Sequence, residues 1–192
     1  IAFGGTNDVL SNIIELSDIE ILEKTQSEKI FKVAVYAPKE NCEEIKKAMG
    51  DACGGIIGNY SHCSFTVEGE GSFKPLSGSN PYIGTEDVIE KVNEVKIEII
   101  VNENNISKVI NAIHNAHPYE EPAIDIIPTN IKGKEYGIGR IGNIKEEMTF
   151  KEFATFVKNR LGLDSMRIIG NENKLVKRCA LCTGAGTDFF SI

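Results

Sequence analysis

Alternation and helical spacing divide the chain into a regular succession of elements. Near the start, "GGTNDVLSNIIEL" sets Val9, Leu10, Ile13 and Ile14 on one face of a helix that Thr6 or Asn7 can cap, with two glycines ahead of it. From Lys29 the period shortens. In "KIFKVAVYAP", Phe31, Val33 and Val35 alternate with Ile30, Lys32, Ala34 and Tyr36, which predicts a strand, and Pro38 then opens a helix with Cys42, Ile45, Met49 and Ala52 at its spacing. A glycine-rich stretch follows, with short strands expected around 63–68 and 71–74 and glycines turning between them. "LSGSNPYIGTED" reads as an exposed loop. "VKIEIIV" predicts another strand, after which Asn104 or Asn105 caps a helix striped with Ile106, Val109, Ile110 and Ile113 and ending near His117. "PAIDIIP" is a further strand. Residues 30–128 therefore follow the order β-α-β-β-α-β, that of a ferredoxin-like split βαβ sandwich.

Beyond Pro128 a polar turn leads to "GIGRIG" and then to "MTFKEFATFVKNRLGL". Thr149 and Glu152 form a capping box there, Met148 can staple against Phe153, and Gly162 is the stop. Phe150, Phe153, Val157 and Leu161 make the buried face. Two strands, "MRII" and "LVKRCALC", precede the final "TGAGTDFFSI", where the next helix has barely begun. Both ends are expected to be internal to a longer protein.

Composition narrows the classes. The 192 residues are 41% hydrophobic and 26% charged, near the average for folded domains, and no apolar run approaches the roughly 20 residues of a bilayer span. Net charge is -7, from 21 basic and 28 acidic residues, and the basic ones are scattered, so neither a membrane nor a nucleic acid is an expected partner. Five cysteines, an odd count, argue against a disulfide framework and for a reducing compartment, the cytoplasm. The chain opens on Ile1 with no basic and apolar leader.

The candidate chemistry is sparse. "NAHPYEEPAIDI" places His114 and His117 three apart with Glu120 or Glu121 nearby, a spacing that could chelate a metal. The simpler reading is a rigid corner: Pro118 stops the helix, His117 complements its C-terminal dipole, and Pro122 admits the next strand. A polar pocket residue is the third possibility. Gly137, Gly139 and Gly142 spell G-x-G-x-x-G, but a dinucleotide fingerprint must follow a strand and open a helix, so turn and short-strand geometry is favoured. Cys179 and Cys182 are three apart on an alternating strand, pointing to opposite faces, which suits buried thiols better than a zinc or redox pair. "TGAGTD" could offer backbone N–H groups to an anion, although an ordinary strand-to-helix turn explains it as well. Glu43 with Glu44 and Glu146 with Glu147 read as solvated faces. "GGIIGNYSHCSFTVEGEGSF" reads as a bulged hairpin or, alternatively, as part of a small-ligand cleft between subunits built from Tyr60, His62, His117 and Glu120.

"GGTNDVLSNII", "GNYSHCSF", "HPYEEPAIDI", "GIGRIG" and "RCALCTGAGTDF" occur in an order that resembles the Nif-three-like family, the GTP cyclohydrolase I type 2 homologs, over nearly the whole chain. The resemblance implies an α+β or α/β protein in which a ferredoxin-like βαββαβ insert, similar to PII and CutA domains, interrupts a Nif-three-like α/β core. It places core segments at 1–28 and 129–192 and the insert at 29–128. It further implies a toroidal homohexamer and a pair of divalent metals, zinc, iron or manganese, serving a metal-dependent hydrolase of GTP-like or other phosphorylated ring substrates. The family's metal ligands have no counterparts among these residues, so neither a metal nor a catalytic residue is assigned here and no cofactor is expected in this chain, which would supply scaffold and oligomer contacts. The competing expectation is a regulatory or interaction module whose insert binds a small molecule, a nucleotide or a protein partner.

Overall fold

Two strands far longer than the hydrophobic alternation predicts organise the chain: β1 (Ser17–Pro38) and β4 (Ile124–Thr149). The computed structural model describes residues 4–184 and 186. Between and around these strands lie α1 (Thr6–Ile13), α2 (Cys42–Asp51), β2 (Ser64–Phe73), β3 (Glu90–Asn102), α3 (Ile106–Ala116), α4 (Phe150–Arg160) and β5 (Leu175–Leu181). The protein is mixed α+β, with a five-stranded antiparallel sheet in the order β2-β3-β1-β4-β5. The chain divides into two compact units, Glu28–Gly133 and Ile1–Ser27 with Lys134–Ile192, and β1 and β4 contribute residues to both. Among the described residues no helix is long and apolar enough to cross a membrane.

In the unit Glu28–Gly133, the register pairs Val33 with Ile99 and Val35 with Ile97. These side chains, with Val95 and Val101, form one face of the sheet and pack with Ile45 and Met49 of α2 and Val109 and Ile113 of α3. Such fully buried side chains each contribute about 1.5–3 kcal/mol relative to exposure. The opposite face is polar where the same alternation places Lys32, Lys96 and Glu98. The Glu98 carboxylate accepts from Lys32 at 2.9 Å and pairs with Lys96 at 2.7 Å.

Local expectations give way here to long-range pairing. β2 runs unbroken through Gly69 and Gly71, where a turn was expected, because β3 offers it a continuous partner from Ser64↔Ile99 to Phe73↔Glu90. The side-chain cap ahead of α3 comes from Asn102, which accepts from the Asn104 amide at 3.0 Å, and not from Asn104 or Asn105. α3 ends in a corner built on His117, which is 7% exposed. Its Nε2 donates to the Tyr36 carbonyl at 2.9 Å and its Nδ1 accepts from the Tyr119 amide at 3.0 Å. A carbonyl can only accept and an amide can only donate, so these partners select the neutral ring with its proton on Nε2. Burial is the main cause that holds the His117 pKa below the usual histidine value, partly opposed by the Tyr36 carbonyl.

In the other unit, Ile14, Leu16, Ile144, Phe153 and Leu181 form a second core. The Thr149–Glu152 capping box is present at the start of α4, and Gly162 follows the helix with φ +64°. Of the turn and short-strand geometry expected for "GIGRIG", the strand is what forms: the run lies wholly inside β4. A Cβ on Gly137 would stand 2.0 Å from the Glu23 carbonyl oxygen, so the glycine serves the close approach of two strands. "MRII" forms no strand: among the described residues no strand pairs with it, and Ile169 is 84% exposed. At α1, neither Thr6 nor Asn7 caps. Gly5 is the cap residue, the Asp8 carboxylate accepts from the Gly4 amide at 2.8 Å, and Asn7 Oδ1 accepts from the Thr183 amide at 2.8 Å. Asp8 is also clamped by Arg140, whose Nε and Nη2 donate to its two oxygens at 2.5 and 3.1 Å while Nη1 donates to the Gly139 carbonyl. The Arg140 guanidinium is the largest influence on Asp8, holding its carboxyl below the usual carboxylate range against the opposing effect of burial.

Removal of one partner from this pair would leave a buried charge uncompensated. Asp8→Ala is expected to lower stability by about 3 kcal/mol, read as a drop in the urea midpoint at neutral pH. The His117 corner carries the opposite proton bookkeeping to a salt-bridged histidine. The unfolded state binds the proton more readily, so the corner's contribution is complete above about pH 6.5 and is lost as pH falls below it through the lower folded value. Urea titrations between pH 7.5 and 5 should show the unmodified protein losing more stability than His117→Asn. Parallel pH curves would refute the corner's role.

A candidate ligand cleft on the sheet

Strand alternation places Tyr36 of β1, Glu94 of β3, and Gly71 and Phe73 of β2 on the sheet face away from α2 and α3. The loop after β2 and the corner after α3 fold over this end of the sheet and enclose a cleft of about 460 Å³ within the unit Glu28–Gly133. Tyr119 is its hub. Its ring centroid lies 6.2 Å from that of Phe73, 6.1 Å from Tyr82 and 5.0 Å from His117, all in tilted or edge arrangements. Because the Tyr119 amide donates to His117, the corner that ends the helix also aims this ring.

Three carboxylates complete the lining, Glu94, Glu120 and Glu121. Glu120 accepts from the Asn80 amide at 3.2 Å, which ties the loop to the corner. A Cβ on Gly71 would stand 2.0 Å from Glu94 Oε2, so this glycine gives the Glu94 side chain its space. The Tyr119 hydroxyl is closed off from solvent without a hydrogen bond of normal geometry, yet Glu94 is near enough to oppose its ionisation. Burial first and that carboxylate second push the phenol well above its ordinary range, so Tyr119 stays neutral.

The sequence-derived candidates are distributed unevenly around this cleft. Glu120 lines it, and His117 stands behind Tyr119 without lining it. Tyr60 is 75% exposed in an isolated bridge with Ile57, and His62 lies beside Asp51 at 3.2 Å, at the C-terminal end of α2. His117 is tied to Tyr36, two residues before the end of β1 that leads into α2. A ten-residue helix is about 15 Å long, so within one chain the pair Tyr60 and His62 lies away from the cleft that Glu120 lines and His117 backs.

Among the described residues no group of three or more histidine, cysteine, aspartate or glutamate side chains could hold a metal ion. His114 is exposed, and both ring nitrogens of His117 are already engaged, so the chelating reading of "NAHPYEEP" has no geometry to support it. The five cysteines are free; Cys179 is pushed up to about 11 by burial, an inert thiol, and Cys182 lies just beyond the end of β5. The anion-binding reading of "TGAGTD" falls partly on Ala185, Thr187 and Asp188, which lie outside the described residues.

Sequence reasoning passed over Tyr36, Phe73, Tyr82, Glu94 and Tyr119 as cleft residues. Their one legible signal was an aromatic residue on each side of the Gly- and Pro-rich loop, at 73 and 82, and a third in the corner.

Comparison with known proteins bears on the whole chain. The family model described as Duf34/NIF3 (NGG1p interacting factor 3) matches residues 1–192. The GTP cyclohydrolase 1 type 2 homolog of Bacillus subtilis (strain 168) is 45% identical over 189 residues, covering 98% of this chain and 51% of that protein. The GTP cyclohydrolase 1 type 2 homolog of Halalkalibacterium halodurans is 40% identical over 188 residues, covering 98% of this chain and 50% of its own. The crystal structure of a Bacillus cereus protein related to NIF3 superposes with a TM-score of 0.84 at 42% identity, over 95% of this chain and 48% of that one. The chain thus spans about half the length of the curated relatives it matches. With a family match along its full length and this level of identity to those relatives, the chain belongs to the Duf34/NIF3 family.

Proposed function

We propose that Ile1–Ile192 supply two things to a NIF3-family protein: a structural unit and a ligand-binding unit. Glu28–Gly133 is the ligand-binding unit, a ferredoxin-like insert of the PII and CutA kind, and the aromatic cleft around Tyr119 is its site. The observation that carries this reading is the cleft itself, with a volume within the roughly 300–1,000 Å³ of small-molecule sites, aromatic walls and a few placed polar groups. Its element order β-α-β-β-α-β and strand order β2-β3-β1-β4 support the ferredoxin-like description. Metal-dependent hydrolysis by a divalent metal pair, which the sequence resemblance implies, belongs in this proposal to the full-length protein. The described residues hold no fitting ligand group for such metals.

Self-association into a homohexamer is part of the same proposal. β2 stands at one end of the strand order with Phe65 65% and Val67 49% exposed, an edge suited to a second copy. The free cysteines fit a reducing cytoplasm.

Tyrosine emission reports on the cleft directly, since the chain has no tryptophan and three of its five tyrosines line the site. A panel of amines, nucleotides and aromatic acids titrated into the 192-residue chain should contain a compound that saturates. Tyr119→Ala should weaken that compound at least about tenfold, or 1.4 kcal/mol. Unchanged affinity in Tyr119→Ala, or no saturating compound, refutes the reading. For the edge, Val67→Lys should shift the chain to a smaller species in light scattering; an unchanged mass would remove β2 as the contact.

A further inference from the structure

The wall chemistry of the cleft narrows what it can hold. Ring faces carry negative electrostatic potential and attract cations, and Tyr119 with Phe73 and Tyr82 brings three rings to one cavity. Glu94, Glu120 and Glu121 add negative charge of the same sign, and no lysine or arginine lines the cavity. Among the described residues none of these three carboxylates is ion-paired with a lysine or arginine, although such pairs, from Lys24–Glu135 to Arg178–Glu20, recur elsewhere on the surface. Lys96 lies over the Tyr36 ring at 5.7 Å, but its ammonium is held by Glu98 at 2.7 Å.

These facts separate the possible occupants. A phosphate group would meet carboxylates and no basic side chain, which disfavours a nucleotide. A bare divalent ion needs several oxygen ligands at about 2–2.6 Å, and the three carboxylates do not converge with other groups to form such a site. They are spread around an apolar, ring-lined space, an arrangement that suits a cation whose charge is diffuse and whose body is apolar.

Resting on the reading of this cleft as a ligand site, we propose that it binds an organic cation, an ammonium or methylated ammonium group carried on an apolar body. The charge sits between the rings of Tyr119, Phe73 and Tyr82, with Glu94 as its counter-ion from the sheet and Glu120 from the corner.

The test uses the 192-residue chain and three probes of similar size: benzyltrimethylammonium, benzyl alcohol and phenylacetate, with GTP as a fourth. Binding is followed by tyrosine emission and calorimetry. The expected result is saturation by benzyltrimethylammonium alone, weakened at least about tenfold by Glu94→Gln and by Tyr119→Ala, and unchanged by Glu44→Gln, an exposed site on α2. Equal weakening by Glu44→Gln would show general attraction to an acidic chain and overturn the proposal. Binding of phenylacetate, benzyl alcohol or GTP but not of the cation would also overturn it while leaving the cleft a ligand site. If no probe and no member of the broader panel binds, both readings fall together.

Discussion

The neutral imidazole of His117 is the contact on which the candidate site depends. It joins the end of β1, through the Tyr36 carbonyl, to the turn after α3, through the Tyr119 amide. The bond to Tyr119 is lost if the ring takes a second proton, because Nδ1 would then be a donor facing a donor, while Nε2 would still donate to the Tyr36 carbonyl. The ring therefore couples three levels of the structure. It closes a helix, fixes the path of the chain back to the sheet edge, and orients the aromatic side chain two residues later that forms the centre of the cleft.

Packing supplies the rigid background for that contact. Val33, Val35, Ile97 and Ile99 are held in one register by the β1–β3 ladder, and the two helices on that face cover them. Because side chains alternate, the same register that buries these residues places Tyr36 and Glu94 on the other face. A slip of one residue would bury a carboxylate in the core, so the hydrophobic pattern that stabilises the unit also secures the geometry of the site. Gly71 shows the same coupling at smaller scale: its missing Cβ leaves the volume that Glu94 occupies.

The second unit is organised by a different device. Its small core, Ile14, Leu16, Ile144, Phe153 and Leu181, is joined by a bidentate Asp8–Arg140 pair that links α1 to β4 across 132 positions of sequence. Such a pair is expensive to desolvate, so its own net contribution is small while the loss of one partner alone is costly. Sequence spacing offered no hint of it. Asp8 looked like an ordinary first-turn acid, and Arg140 sat in a glycine-rich run whose strand character is set by the close approach of β1 and β4.

What the sequence alone determined is what depends on local periodicity and local capping. The helices α2, α3 and α4, the Thr149–Glu152 box, the strand character of 30–37 and 95–101, and the family membership were all readable, because each rests on residues within a few positions of one another or on their order. The tertiary structure decided the rest. The polar reach of β1 from Ser17, the unbroken course of β2 through two glycines, and the length of β4 depend on a partner strand satisfying the backbone, which no window of sequence contains. The cleft is the clearest case: Tyr36, Phe73, Tyr82, Glu94 and Tyr119 come from five segments spread over more than eighty positions, and only strand register and the His117 corner bring their side chains into one cavity.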